Sequence, residues 1–226
     1  MSEDTTEIPP DEGGPSETAT DLLVEAALTM AGEEGWRAVS VRAAGERAGI
    51  DPITARRTVR CKAGLLAAIA DRVDAGMREA LDEDATDPSI PVRDRLFEAL
   101  MARLDVLTER RAAYVSILEG LPRDPATALA TLPSLGRSMA RTLDAVGERT
   151  LPPFGPLKVK GLALVWLATL RTWMTDESPD MAATMKALDG YLARAEEAAN
   201  TLFPGGQRTR SAQDGETGSR EAGSAV

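Results

Sequence analysis

The stretch from Leu22 to Asp71 reads LLVEAALTMAGEEGWRAVSVRAAGERAGIDPITARRTVRCKAGLLAAIAD, and it decides the fold. Three short helical patterns follow one another, split by a Gly35-Trp36 turn and a Gly49-Ile50-Asp51-Pro52 turn. The first is expected to start at Thr20 or Asp21 as cap, to carry Leu23, Ala27 and Met30 on one face, and to stop at Gly35. Ser40 is a natural N-cap for the second, which runs through Ala48 with Val41, Ala44 and Ala48 inward. Asp51 caps the third, Pro52–Val59; Pro52 stands at its first position, where a missing N–H costs nothing. A fourth pattern, Lys62 to Leu81, has Leu65, Leu66, Ile69 and Val73 as its apolar stripe.

Charge separates this region from the rest. Between Arg37 and Lys62 there are seven basic residues (Arg37, Arg42, Arg47, Arg56, Arg57, Arg60, Lys62) and two acidic ones (Glu46, Asp51), a local net of +5. The whole chain carries −10, so the remainder carries −15. An acidic body is repelled by nucleic acid; a local basic face lets one end approach phosphates. Two short helices joined by a tight turn, the second ending in a basic cluster, are the layout of a helix-turn-helix DNA reader.

Composition narrows the rest. Ala and Leu dominate and both form helices well, whereas runs rich in Val, Ile, Thr and aromatics are absent. An all-α protein follows. There is no histidine, which excludes Ser-His-Asp and Cys-His catalysis and His-based metal sites. The single Cys61 can form neither an internal disulfide nor a zinc cluster. We expect no catalytic residues, no metal and no cofactor. The first residues, MSEDTTEIPPDEGGPSE, are acidic and Pro/Gly-rich, unlike a signal or transit peptide. The longest apolar run, Gly161 to Leu170, is too short to span a bilayer. These readings predict a cytoplasmic protein without integral membrane association.

The chain divides into a disordered tail (1–19), a helix-turn-helix unit (20–66), a helical ligand-binding and dimerisation body (67–203) and a second disordered tail (204–226). In the body, helices are expected at Pro91–Thr108 (Leu96, Leu100, Leu104, Leu107) and Ala112–Leu121. Pro122, Pro125 and Pro133 punctuate the next stretch, before a helix marked by Leu135, Met139, Leu143 and Val146. LPPFGP (151–156) reads as a loop. The helix Leu157–Thr175 is apolar nearly all round, so more than one side should be covered. The last helix, Pro179–Leu202, carries Met181, Met185, Leu188, Leu192, Ala195, Ala199 and Leu202, a coiled-coil-like seam.

The reader resembles that of the TetR family of bacterial regulators. The features that carry the likeness are Gly35-Trp36, Ser40-Val41-Arg42, Ala48-Gly49-Ile50, Thr54-Ala55-Arg56-Arg57, and Lys62 before Leu65-Leu66. They cover about fifty residues. The resemblance implies a TetR-like fold, a homodimer, double-stranded DNA as partner, and ligand-responsive repression. The chain departs from the family at Arg56, where an aromatic is usual, and at Val59, where Phe is usual. Ala44 and Gly45 are also small, which leaves the reader's core under-packed. The stretch around Trp173, Asp176, Ser178, Pro179, Asp180, Thr184 and Leu188 is similar to the lipid-binding accessory proteins of ubiquinone biosynthesis, whose fold is itself TetR-like. That likeness implies the alternative function, a lipid or quinone carrier that does not bind DNA.

Candidate site residues follow. Ser40 and Thr54 would meet phosphates, with helix capping as their simpler role. Arg42, Arg56, Arg57 and Arg60 would reach phosphates or base edges. Lys62 opposes the helix dipole at its position, which points to phosphate contact. Met101, Tyr114, Met139, Trp166, Trp173 and Met174 would line a pocket for an apolar small molecule or lipid, a quinone or prenylated precursor, with plain core packing as their simpler role. Leu162, Trp166, Met185, Leu188 and Leu192 would form a four-helix dimer interface. Asp176, Glu177 and Asp180 read as caps of the last helix.

Overall fold

The computed structural model describes residues 15–148, 150 and 154–202. The tails expected at 1–19 and 204–226 thus lie outside the described residues, except for 15–19, and so do 151–153 of the loop expected at 151–156, whose last two residues belong instead to a helix. Among the described residues all regular structure is helical: α1 (Pro15–Glu33), α2 (Val41–Ala48), α3 (Pro52–Val59), α4 (Lys62–Ala80), α5 (Val92–Glu109), α6 (Arg111–Gly120), α7 (Pro125–Ala145), α8 (Gly155–Thr175) and α9 (Ala182–Leu202). Short 3-10 turns occur at Glu83–Thr86 and Leu121–Arg123.

The reader's local chemistry sets its geometry. Ser40 is extended and its hydroxyl accepts the Ala43 amide at 3.1 Å, which starts α2. Gly49 ends it at φ 70, a left-handed conformation that other residues adopt at a cost. Asp51 accepts the amides of Ile53 and Thr54, each at 3.0 Å, and so starts α3. The core here is close-packed, which corrects the expectation of an under-packed reader. A Cβ on Gly45 would lie 2.9 Å from the Ala55 methyl and 3.3 Å from the Ile50 carbonyl. The small residues draw α2 onto α3 instead of leaving space.

Two expected boundaries move. The first helix begins at Pro15, ahead of the cap expected at Thr20 or Asp21. Pro133 does not interrupt α7, which continues from Pro125 to Ala145. The outer side of this half of α7 is exposed at Leu129 and Leu132, so water can reach a backbone carbonyl freed by the proline.

α4 joins the reader to the body. Leu65 packs below the reader, and Ile69 and Val73 continue the same face against α5 and α7. One buried cluster therefore runs from Leu23 and Ala44 through Leu65 to Leu104, Met139 and Trp173. The boundary expected at residue 66 falls inside this helix. α8 and α9 pack on each other, α7 on α8, and α1 on α6.

Candidate nucleic-acid interface and apolar pocket

The seven basic residues of the reader do not stand alike. Arg47 is held by Glu33 at the end of α1 and by Glu34 just after it. Arg42 makes an exposed i,i+4 pair with Glu46 at 3.3 Å, which is worth little. Lys62 turns inward, contrary to the phosphate contact expected of it. Its ammonium donates to the Trp36 carbonyl at 2.8 Å and lies 4.4 Å from the indole centroid. Burial pushes the Lys62 pKa below its ordinary value, and Asp124 opposes that shift. The adverse dipole at the α4 start is thus offset by a carbonyl, a ring and a carboxylate.

Arg37, Arg56, Arg57 and Arg60 remain exposed, with no ion pair among the described residues. Three of these are on or just after α3. Arg60 ends α3 at φ 42, a conformation rare outside glycine, which fixes where the chain turns into α4. Gly64 then passes so close that a Cβ there would lie 2.4 Å from the Val59 carbonyl oxygen. Ser40 and Thr54 are exposed and both serve as or against caps. The Asp51 carboxyl is held below its ordinary pKa first by the Thr54 side chain, then by the Thr54 amide. Ser40 accepts an amide and keeps its own O–H free to donate.

The second feature is a cavity of about 300 Å³ in the body, between α4, α5, α6, α7 and α8. Of the six expected pocket residues it brings together Tyr114 and Trp166. Met139 and Trp173 are instead wholly buried in the core. Met101 is partly buried against that core, and Met174 lines a separate surface cleft with Leu118 and Leu167. Trp173 is fixed on three sides: its indole N–H donates to Thr108 at 3.2 Å, Arg111 lies 4.5 Å over its ring, and Arg111 donates to its carbonyl at 2.7 Å.

A buried polar group that no periodicity argument singled out adjoins the cavity. Asp74 of α4 and Arg103 of α5 are ion-paired at 0% and 3% side-chain exposure. Ser138 donates to Asp74 at 2.6 Å, Arg103 donates to Ser138 at 2.9 Å, and Arg141 donates to Asp74 at 3.1 Å. The Arg103 guanidinium also lies 4.8 Å over the Trp166 ring. Burial pulls the Arg103 pKa down, and Asp74 opposes that shift. The available signal was an Asp and an Arg at inward positions of two otherwise apolar stripes.

The expected dimer residues are also redistributed. Leu162, Trp166, Leu188 and Leu192 are buried within the protomer, so they cannot form the contact surface proposed from their spacing. Met185 lines an open cleft with Asp94, Phe97 and Asp189. The apolar side chains of α8 that face outward are Leu157, Leu164 and Leu167, with Phe154 just before them. Beside them an apolar groove of about 590 Å³ runs to Tyr191, Ala195 and Ala199 of α9. Asp176 caps α9 as the sequence implies: it accepts the amide and hydroxyl of Thr184 at 2.8 and 2.7 Å and the Ser178 amide at 3.1 Å. The Ser178 hydroxyl, which also donates to it, and then the Thr184 hydroxyl and the two amides hold its carboxyl well below the usual carboxylate range. The residues that resemble the ubiquinone accessory proteins thus build the α8–α9 joint.

An all-α chain with an N-terminal helix-turn-helix and a helical body that carries an apolar pocket defines a class of architecture. No family model matches the chain, and no curated protein matches it. Solved structures do. The chain is similar to the TetR transcriptional regulator from Nitrosomonas europaea ATCC 19718, with TM-score 0.59 and 24% identity over 79% of this chain and 98% of that one. It is also similar to a TetR-family transcriptional regulator from Streptomyces coelicolor, with TM-score 0.53 and 17% identity over 82% and 83% of the two chains. The fold is therefore TetR-like. Among the described residues no helix is long and apolar enough to cross a membrane.

Proposed function

We propose that the chain is a DNA-binding transcription regulator, acting as a homodimer and answering to a ligand in the body. The observation that carries this reading is the set of exposed arginines without ion pairs, Arg56, Arg57 and Arg60, on a short capped helix beside a tight turn. Arg57 feels the Asp51 carboxylate, but none of the three makes an ion pair, and a solvated structural surface in an acidic protein gains nothing from leaving neighbouring arginines unpaired. Phosphates would compensate them, and a guanidinium can also take guanine O6 and N7 together. Arg56 supplies a charge where the family carries an aromatic. The solved structures of similar fold are described as transcriptional regulators, which supports the same reading.

Two readers must lie about 34 Å apart to enter successive major grooves, which calls for a dimer. The outward face Leu157, Leu164 and Leu167 suits that contact. A ligand would act by binding the two reader spacings unequally. The test is fluorescence anisotropy on random and selected duplexes across salt concentration. Wild type should bind with log K falling by about 0.9 per phosphate contact against log salt. Arg56→Ala with Arg57→Ala should weaken binding and flatten that slope, with helicity unchanged. No binding at low salt would end the regulator reading.

A further inference from the structure

We infer that Ile53 selects thymine: its side chain packs on the C5-methyl group of one thymine in each half-site, from the face of α3 that also carries Arg57. The inference rests on the regulator reading above and names a base that the reader prefers.

Ile53 is 65% exposed, whereas the other large apolar side chains of α2 and α3, Val41 and Val59, are buried. It takes no part in the buried cluster beneath the reader. Ile53 and Arg57 stand one turn apart, on the side of α3 opposite buried Ala55 and Val59. Arg56 lies beside that stripe, and Arg60 follows at the end of the helix. The Asp51 carboxylate accepts the Ile53 amide at 3.0 Å, which pins the backbone here. A β-branched side chain has little freedom about χ1. Ile53 is therefore a stiff apolar knob, and ordering it against a partner costs little entropy.

Exposed apolar surface gains when a partner covers it. The arginines around Ile53 restrict that partner. An apolar or basic protein surface would bury them without compensation, whereas DNA places phosphates along both edges of its major groove. Within that groove the base pairs show hydrogen-bond donors and acceptors, and the apolar group among them is the thymine methyl. Against adenine, guanine or cytosine, Ile53 would cover a polar edge and offer it no partner, which is costly. Against thymine it meets a methyl. The first residues of a recognition helix are those that reach base edges, and Ile53 is the second residue of α3. Arginine suits guanine or phosphate, so the apolar side chain adds a contact that the cations beside it cannot make.

Replacing thymine by deoxyuridine tests this directly, because it removes the methyl and leaves base pairing and the O4 acceptor in place. A site is selected from random duplexes with the full chain. Each thymine of one half-site is then replaced singly, and binding is followed by fluorescence anisotropy at fixed salt. One replacement should weaken wild-type binding about fourfold, the effect of one methyl group no longer buried. Ile53→Ser should bind the thymine and deoxyuridine duplexes equally at that position. Ile53→Val, which keeps a branched apolar group, should retain most of the difference. Both changes fall on an exposed side chain, so the thermal melt should stay as in wild type. A selected half-site without thymine, no position sensitive to the methyl, or a penalty that persists in Ile53→Ser would overturn the inference while leaving the regulator reading intact. A wild-type chain that binds no duplex at low salt would end that reading, and this inference with it.

Discussion

Replacing Asp74 by Asn tests how the reader is anchored to the body. The change keeps the side-chain shape and removes the charge. Asp74 has no exposed surface and accepts from Arg103, Ser138 and Arg141, three groups on α5 and α7. Arg141 is 43% exposed and also pairs with Asp71, so its loss is minor. Arg103 at 3% exposure has no other carboxylate; it keeps only two hydroxyls and the Trp166 face. Removing one member of a buried pair in this way costs about 3–5 kcal/mol. Against a domain stability of about 5–15 kcal/mol that is a large fraction. Urea unfolding followed by circular dichroism should show the midpoint falling with an unchanged m-value. Asp74→Leu with Arg103→Met should recover most of the loss, since an apolar pair of similar volume leaves no orphan charge. A loss under about 1 kcal/mol in Asp74→Asn, or a double variant no better than the single, would refute this account of the pair.

Other outcomes follow from the same geometry. Leu164→Glu with Leu167→Glu should leave the protomer folded and shift sedimentation from dimer to monomer, because these side chains face outward. Leu188→Glu should instead unfold the protomer by placing a carboxylate in a closed core, and a folded monomer there would contradict the packing. Gly120→Val should lower the melting temperature, because its Cβ would lie 2.6 Å from Trp36 Cδ1 and overpacking costs about 1–3 kcal/mol; an unchanged melt would show that the indole yields freely. The folded Asp176 pKa is depressed, so its contribution is present above the unfolded carboxylate pKa, about 4, and is lost as pH falls below it. Asp176→Asn should therefore flatten the acid limb of a stability-against-pH curve, and an unaltered limb would remove the cap from that account.

The reader was legible because its signals are local. Ser40, Gly49, Asp51 and Pro52 dictate caps and a turn within a few residues of themselves, and α2 and α3 begin and end where those residues require. The body was less legible because spacing shows that a face is apolar, not what covers it. Leu188 and Leu192 keep a seam that α8 of the same chain covers, while Leu164 and Leu167 look no different in sequence and face outward. Trp166 and Trp173 are one chemistry seven residues apart on α8; one borders the cavity, and the other is fixed by Thr108 and Arg111 from distant turns. Lys62 was misread because its carbonyl partner lies 26 residues earlier, where no helix-dipole argument looks. Asp74, Arg103 and Ser138 converge from three helices, a meeting that only the tertiary structure displays.

The same contacts show why the Gly35-Trp36 turn matters beyond ending α1. Gly35 at φ 87 sets the chain's direction, and the Trp36 amide then donates to Ser116 of α6 at 2.8 Å. Gly120, one helical turn on, leaves the space the Trp36 side chain occupies against α6. Lys62 grips the Trp36 carbonyl from the start of α4 and feels Asp124 at the start of α7. Trp36 thereby ties the reader to α6 and to the start of α4, while α4 carries Asp74 and the cavity wall farther along its length. α4 and α6 both line the cavity and both end at this junction. Under the proposed function, a ligand that displaced either helix would act on α3 through packed, hydrogen-bonded contacts and not through a flexible linker.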